Sequence, residues 1–352
     1  MRCELFIKKD STARIEGSTS YYRNKISRLR RIFGTNELIL TDDYLMVKGR
    51  QYPILNDVIV LLDPSQYTEY VRRQILPGEL AQSDKIETFS KAVQSSFGQQ
   101  WTQYSKILDE YRIEFEQYFD LVSVQSLKDQ VVCDLGCGVG RWSYFLQAHC
   151  GELILVDFSD AIFVARKNLA HSDNATFLMG DVKRLPFADD FCDFLFSLGV
   201  LHHIPANALD EVRALKKYAR RVLIYLYYAL DNRPFHFRVL YWVMELGRRV
   251  ISSVRNDVIR RALVWAITLL VYVPFIWLGR LLRPVGLQRQ VPLFEFYNGK
   301  TVGRIRQDVH DRFCTAIEHR YSRDQIMELR DSYSKIQISG QIPFWHFLCT
   351  RS

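Results

Sequence analysis

The sequence predicts an α/β protein built on a parallel sheet with helices on both faces. Apolar strands alternate with stretches of helical spacing from residue 131 to residue 227, as in repeated β–α–β units. A glycine-rich loop follows the first of these strands. The 352 residues are 48% hydrophobic and 24% charged, which is ordinary for a globular protein and excludes a disordered or collagen-like chain.

The expected elements follow one another at short intervals. Five strands are predicted at residues 131–135, 153–157, 176–179, 191–198 and 222–227, with helices at 140–149, 163–168 and 209–219. A helix at 322–330 and two further strands near 335–338 and 344–350 complete a sheet of seven strands. Upstream, strand-like runs at 37–40, 44–47 and 58–62 are separated by turn residues.

This pattern divides the chain into three parts. Residues 1–70 form a small N-terminal α+β module, residues 84–228 together with 319–352 form the α/β domain, and residues 229–318 form a helical insertion after the fifth strand. The insertion holds nearly all of the net charge of +8, because residues 231–289 contain ten Arg and no Lys against three acids. Such a basic and apolar segment suits an anionic lipid surface or a large anionic substrate.

The glycine loop carries the strongest chemical signal. The apolar strand 131–135 contains Asp134, and Gly136, Gly138 and Gly140 then alternate before a helix begins. Glycine permits the sharp turn and leaves room for a ligand against the backbone. A dinucleotide fingerprint requires Gly or Ala at the sixth position from Gly136, where this chain has Arg141.

The loop matches Asp-x-Gly-x-Gly-x-Gly, the first motif of the class I S-adenosylmethionine-dependent methyltransferases. The chain resembles the small-molecule, type 11-like bacterial branch of this family over residues 95–228 and from 318 to its end. Further motifs at 153–159, 180–182 and 185–205 follow in the family's order. The resemblance implies a Rossmann-like seven-stranded sheet with an antiparallel last strand, and S-adenosylmethionine as the cofactor.

The resemblance also assigns roles to individual residues. Asp157 would hold the ribose and Asp181 the adenine amino group, while His202 and His203 are candidate bases. The full set implied to bind the cofactor is Asp134, Gly136, Cys137, Gly138, Gly140, Asp157, Phe158, Asp181, Val182 and Ser197. Purely structural roles stay open for the same residues. Asp157 could be a charge at a helix N-terminus, Asp181 a surface acid, and the two histidines residues that only set the conformation of their loop.

The cysteines indicate neither a metal site nor a disulfide framework. The chain has seven Cys and no C-x-x-C pair, and Cys133 and Cys137 lack two further ligands nearby. Free thiols and the absence of an N-terminal signal pattern lead us to expect a cytoplasmic protein. If the insertion contacts lipid, the protein would lie at the cytoplasmic face of the membrane.

Motifs that are absent from the sequence limit the classes of acceptor molecule that we expect. The fourth strand leads into Ser197-Leu198-Gly199-Val200, where enzymes acting on base amino groups have Asn/Asp-Pro-Pro-aromatic, and this edge has no Pro-Cys pair. We therefore expect a small-molecule or lipid-linked acceptor, methylated at oxygen, and no nucleic-acid partner. Two alternatives remain: an RNA methyltransferase that uses the basic insertion, and a non-catalytic scaffold that binds S-adenosylmethionine.

The insertion admits two arrangements. Residues 262–279 are uncharged and flanked by Arg, at the lower length limit for a membrane span. Both ends of the insertion must return to one sheet, so a helical hairpin or an in-plane helix fits, as does a cap over the active site. Pro274 would kink such a helix. Downstream, the candidate acceptor contacts are His310, Arg312, His319 and Tyr321.

Two weaker resemblances concern the N-terminal half. Residues 38–62 are similar to the end of the zinc-ribbon-like domain that precedes many bacterial methyltransferases, without that domain's metal-binding cysteines. Residues 96–101 are similar to a helix that packs near the cofactor in the same bacterial group. The N-terminal module is thus expected to be metal-free and to serve docking or substrate lining.

Overall fold

The computed structural model describes residues 21–76, 94, 105–254, 256–315, 317–340 and 344–352. Within these residues eleven strands form one sheet, in the order β1-β2-β3-β4-β7-β6-β5-β8-β9-β11-β10. The strands are β1 Leu38–Leu40, β2 Tyr44–Val47, β3 Arg50–Leu55, β4 Val58–Val60, β5 Val131–Leu135, β6 Glu152–Asp157, β7 Ala175–Met179, β8 Cys192–Leu198, β9 Ala219–Leu226, β10 Lys335–Ile338 and β11 Trp345–Thr350. The helix expected at 96–101 lies outside the described residues.

The seven expected strands are consecutive in this sheet, from β7 to β10. Strands β7, β6, β5, β8 and β9 run parallel, and β11 pairs antiparallel with β9. Strand β10 then pairs antiparallel with β11 at the edge. The order places the carboxyl ends of β5 and β8 next to each other, which is where an open parallel sheet binds ligands. The predicted Rossmann-like α/β fold, with its antiparallel last strand, is confirmed.

The N-terminal strands extend the same sheet. Strands β1 to β4 form an antiparallel meander, and β4 pairs in parallel with β7 through Ile59 and Leu178. Strand β3 was not predicted, because its start at Arg50 shows no apolar alternation. Asn56 and Asp57 both have positive φ, which suits the tight turn between β3 and β4. The zinc-ribbon likeness of this segment stays a prediction.

Helices cover both faces of the sheet. One face packs against α1 Ile26–Phe33, α6 Ala208–Leu215 and α12 Arg323–Met327. The other packs against α2 Glu69–Ile75, α3 Tyr111–Tyr118, α4 Arg141–Leu146 and α5 Ala161–Asn168. Successive residues of β5 alternate between the two cores, since Val131 and Cys133 belong to the first and Val132 to the second. Burial on both faces explains why these strands read as continuous apolar runs.

The insertion has an apolar core of its own. It consists of α7 Phe235–Ser252, α8 Asp257–Ile267, a π-helical turn Thr268–Tyr272, α9 Val273–Leu281, α10 Phe294–Tyr297 and α11 Val302–Cys314. Helix α7, helix α8 and the π-helical turn pack on α11, and α9 packs on α10. Pro274 stands just after the π turn, where its missing amide removes one helical hydrogen bond.

Candidate functional site

The glycine loop folds over the end of β5. The amides of Gly136 and Cys137 both donate to the carbonyl of Val156, at 2.8 and 3.0 Å. Gly136 has φ +81°, and a Cβ there would lie 2.4 Å from Cγ2 of Val200. Gly140 has φ +75° and opens α4. The backbone therefore needs glycine at both positions. Gly136 lines the cavity, whereas Gly140 does not and packs against Ala165 and Leu169.

Asp157 lies at the end of β6 and forms a hydrogen bond with the glycine loop. Its Oδ2 accepts a hydrogen bond from the amide of Gly138 at 2.7 Å, and its Oδ1 accepts from the amide and hydroxyl of Ser159 at 2.8 and 2.7 Å. Burial raises the pKa of Asp157, and these hydrogen bonds oppose the rise. The Asp157 carboxylate thus joins the glycine loop to the turn after β6, and it also lines the cavity.

Asp181 and Val182 line the same cavity after β7, next to Phe158. The Asp181 Oδ2 accepts from Nε2 of Gln66 at 3.1 Å, which ties the N-terminal segment to this end of the site. The buried amide of Gln94 also lines the cavity, and its Nε2 donates to the carbonyl of Phe158 at 2.8 Å. No local pattern in the sequence singles out Gln66 or Gln94, because their roles depend on contacts across the sheet edge.

Asp134 and Ser197 lie behind the cavity wall. Asp134 Oδ2 accepts from Oγ of Ser143 on α4 at 2.6 Å, and burial raises the pKa of Asp134 to about 8. The hydroxyl of Ser197 donates to the carbonyl of Leu135 at 2.8 Å. Both side chains are fully buried and neither lines the cavity. The structure thus gives them a part in holding β5, α4 and β8 together instead of the ligand contact that was expected.

One continuous cavity of about 630 Å³ joins the glycine loop to the insertion. Its second end lies beneath α7, the segment 289–297 and α11. The side chains there are mainly apolar or aromatic, with several charges: Tyr227, Phe237, Leu240, Tyr241, Met244, Val291, Phe296, Asp308, Asp311, Arg312, Arg320 and Phe344. The insertion therefore forms a roof over the carboxyl edge of the sheet.

The two candidate histidines occupy different positions. His203 lines the cavity, and its Nδ1 lies 2.8 Å from the carbonyl oxygen of Ile317. His202 lies behind it, fully buried and stacked on Tyr227 at 3.9 Å between ring centroids. Burial lowers the pKa of both rings. Both are therefore neutral at pH 7, and of the two only His203 is placed to meet a ligand.

Of the four candidate acceptor contacts, the structure brings one into the cavity. Arg312 lines it, with its guanidinium 5.6 Å from the ring of Tyr241. The Tyr321 hydroxyl instead accepts from the amide of Ala208 at 2.8 Å. His310 and His319 do not line the cavity either.

A buried ion cluster that sequence analysis missed joins the roof to the α/β domain. Arg304 of α11 donates to both carboxylate oxygens of Glu114 on α3, from Nε at 3.0 Å and from Nη2 at 2.8 Å. Lys300 Nζ donates to Oε1 of Glu114 at 2.7 Å, and Asp308 also pairs with Arg304. Burial alone would raise the pKa of Glu114, but the adjacent Arg304 and Lys300 hold it at about 2.

Part of the chain is similar to known methyltransferases. Residues 132–223 match the family profile described as a methyltransferase domain. The biotin biosynthesis bifunctional protein BioHC of Cellvibrio japonicus is 28% identical over 130 residues, 36% of this chain and 25% of that protein. The tRNA U34 carboxymethyltransferase of Aliarcobacter butzleri is 33% identical over 100 residues, 27% of this chain and 31% of that protein.

Among solved structures, magnesium protoporphyrin IX methyltransferase from Synechocystis with bound S-adenosylhomocysteine is 17% identical, with a TM-score of 0.38 over 78% of this chain and 90% of that one. The chain spans between a quarter and just under half of the length of the curated relatives it matches, at 25%, 31%, 28% and 46%. The matched segment contains the glycine loop, Asp157 and Asp181. The match supports a methyltransferase domain at residues 132–223.

Proposed function

We propose that this chain transfers the methyl group of S-adenosylmethionine to an oxygen atom of a small-molecule or lipid-linked acceptor. The observation that carries the proposal is the single cavity, which has the glycine loop and Asp157 at one end and His203 and Arg312 at the other. A cofactor and an acceptor bound at the two ends would meet inside one cavity.

The residues at the first end fit the cofactor. Gly136 and Gly138 line the cavity without side chains, and the Asp157 carboxylate beside them is the group that would accept from a ribose hydroxyl. Asp181 and Val182 form the wall where an adenine would lie. When bound, S-adenosylmethionine supplies an electrophilic methyl group on a positively charged sulfur. The remaining work of the protein is to orient the acceptor oxygen and to keep water away.

His203 is the proposed base. The carbonyl of Ile317 can only accept a hydrogen bond, so Nδ1 of the neutral ring carries the proton and Nε2 is the basic nitrogen. Its lowered pKa keeps the ring neutral at physiological pH. Nε2 would take the proton of an acceptor hydroxyl as the oxygen attacks the methyl carbon, the S–CH3 bond breaks and neutral S-adenosylhomocysteine leaves.

The second end of the cavity fits an acceptor with apolar and charged parts. Phe237, Leu240 and Met244 present an apolar wall from α7, while Arg312 supplies a positive charge. Arg320 is already paired with Glu318 at 2.6 Å. Arg312 forms no ion pair with any carboxylate of the described residues, so it is the charge in this wall best suited to meet an anionic group on the acceptor.

The RNA alternative has separate support. The insertion is strongly basic, and one matched relative is a tRNA carboxymethyltransferase. An RNA acceptor predicts affinity that falls steeply with salt, because each phosphate contact releases a counterion. The scaffold alternative predicts cofactor binding without turnover.

Methyl transfer into fractionated extract tests the proposal. The full-length protein is incubated with methyl-labelled S-adenosylmethionine and a cell extract, and label is then counted in lipid, aqueous, protein and nucleic-acid fractions. We expect label in the lipid or small-molecule fraction. The variant Asp157→Ala should lose this transfer, and the exposed-site variant Asp173→Ala should keep it. Label confined to nucleic acid, or binding with no transfer to any fraction, would contradict the proposal.

A further inference from the structure

An extended apolar surface lies on the outside of the insertion. Sixteen of the twenty-two exposed large apolar side chains in the described part of the chain fall within residues 235–287. On α7 they recur at helical spacing as Phe235, Val239, Trp242, Val243, Leu246 and Val250, and on the α8–α9 segment as Val258, Ile259, Trp265, Leu269, Leu270, Trp277, Leu278 and Leu281. We call these fourteen side chains the outer apolar stripes.

The stripes are too large to be ordinary surface. Trp242 and Trp277 are 63% and 64% exposed, and Leu270 is 76% exposed. A Trp side chain at such a fraction exposes on the order of 100 Å². Fourteen large side chains together therefore exceed the roughly 300–600 Å² of the largest apolar patch on a typical soluble monomer. A surface of this kind requires a partner.

The α8–α9 segment has a buried face opposite its exposed apolar stripe. The packing of this buried face sets the orientation of the segment on the insertion. From Asp257 to Leu281 the chain forms one 25-residue helical segment, in which an 18-residue window has a mean hydropathy of 2.1, long and apolar enough to cross a membrane. Its buried residues, Val264, Thr268, Tyr272, Ile276 and Gly279, form a stripe that faces the insertion core. At Gly279 the contact is so close that a Cβ would lie 2.1 Å from Cδ2 of Phe294.

This packing argues against a span. The first part of the segment lies on α11, which carries the buried charge of Arg304 and the half-buried charge of Arg312. A helix that crossed the bilayer in this arrangement would take α11 and its charges into the hydrocarbon, at a high cost for each charge. A helix lying in the interface plane buries only the outer stripes and leaves α11 in the protein.

The charges around the outer apolar stripes indicate which kind of partner would bind there. Arg238, Arg261 and Arg283 are exposed and form no ion pair with a described residue. Residues 231–289 carry a net charge of +7. Two copies of this chain meeting through the stripes would bring these charges together, which disfavours a homodimer. An anionic lipid surface offers both the apolar layer and the opposite charge.

We propose that the outer apolar stripes dock the protein, in the plane of the interface, on an anionic lipid bilayer. The inner face of α7 lines the cavity through Phe237, Leu240 and Met244 while its outer face carries Trp242. The cavity then lies about one helix diameter, roughly 10 Å, from the lipid. Docking itself does not depend on methyl transfer; only the supply of a lipid-linked acceptor from the bilayer rests on the proposed function.

Vesicle flotation of the full-length protein tests docking without any cofactor or acceptor. Phosphatidylcholine vesicles are compared with vesicles of phosphatidylcholine and phosphatidylglycerol in equal parts. We expect the protein to float with the anionic vesicles, less so at high salt. Leu270→Ser combined with Trp277→Ser should lower the apparent affinity by at least about tenfold, since it removes two large apolar side chains from the contact. Ile39→Ser combined with Ile113→Ser, at exposed sites outside the insertion, should leave it unchanged.

Two further measurements test whether the outer apolar stripes contact lipid and whether they form a dimer instead. Tryptophan emission should shift to the blue on vesicle addition, and brominated lipids should quench it, because Trp242, Trp265 and Trp277 lie on the stripes. Sizing by light scattering should show no loss of a dimer in the Leu270→Ser, Trp277→Ser variant. Failure to float with anionic vesicles, equal flotation of both double variants, or a dimer that only the stripe variant dissolves would each overturn the proposal. Loss of methyl transfer with docking intact would count against the proposed function alone.

Discussion

Neutralising Glu114 should loosen the roof of the cavity. Its carboxylate accepts three hydrogen bonds, two from Arg304 and one from Lys300, and these are the buried charges that link α3 to α11. In Glu114→Gln the amide keeps the shape of the side chain but removes the negative charge. Arg304 retains Asp308, and Lys300 retains its contact with the ring of Phe296.

The expected loss in free energy of unfolding follows from the burial of the Glu114–Arg304 ion pair. The side chains of Glu114 and Arg304 are each only 3% exposed, so water can replace little of what is lost. Removing one partner of a buried ion pair costs about 3–5 kcal/mol. Because Asp308 still pairs with Arg304, we expect about 3 kcal/mol, at the lower end of that range. Glu116 on the same helix is exposed, and Glu116→Gln should change the free energy of unfolding by less than about 0.5 kcal/mol.

The effect has a defined dependence on pH. The pKa of Glu114 is about 2 in the folded protein, below the value near 4.3 for an unfolded chain. Its stabilisation is therefore fully present above about pH 4.3 and is lost as pH falls toward 2. Urea unfolding of the wild type, Glu114→Gln and Glu116→Gln should show a gap at pH 7 that narrows toward pH 3. Equal stability of the two variants at pH 7, or a gap that does not change with pH, would refute the reasoning.

The remaining predictions concern the two ends of the cavity. Gly136→Ala should weaken S-adenosylmethionine binding more than about tenfold, because its Cβ would meet Val200 at 2.4 Å; Gly299→Ala, also at positive φ but in open space, should leave it unchanged, and equal effects would argue against a close approach. His203→Gln should lower kcat by about 10²–10⁴-fold and remove an acid limb lying below pH 6.5 from the pH–rate profile, with cofactor affinity kept; an unaltered profile would remove His203 as the base. Arg312→Leu should raise the acceptor KM by about ten- to a hundredfold without affecting cofactor affinity, and an unchanged KM would show that Arg312 does not bind the acceptor.

Much of the fold could be predicted because its signals are local. The five parallel strands are short apolar runs, and four of them end close to a glycine or an acid. The positions of the glycine loop and of Asp157 follow directly from that pattern, since both lie at strand ends that meet at one edge of the sheet. The pairing of β4 with β7 has no such signal, because nothing in either strand specifies a partner more than a hundred residues away.

The site was harder to predict where a residue's role depends on the direction in which its side chain points. Asp134 and Ser197 belong to the motif, yet Asp134 turns toward α4 and Ser197 toward β5, which the residue type alone does not reveal. His202 and His203 are adjacent, and only the 3-10 turn Leu201–His203 decides which ring meets the cavity. Glu114 and Arg304 are separated by 190 positions, so their pairing emerges only from packing of the insertion on α3.

Calorimetric titration of the full-length protein with S-adenosylmethionine tests the central claim most directly. We predict saturable binding at one site per chain. Asp157→Ala should weaken that binding by at least about a hundredfold, because it removes a charged hydrogen-bond acceptor and releases the amide of Gly138. Asp173→Ala, at an exposed site, should bind like the wild type. Absence of binding by the wild type, or equal affinity of Asp157→Ala and the wild type, would contradict the account.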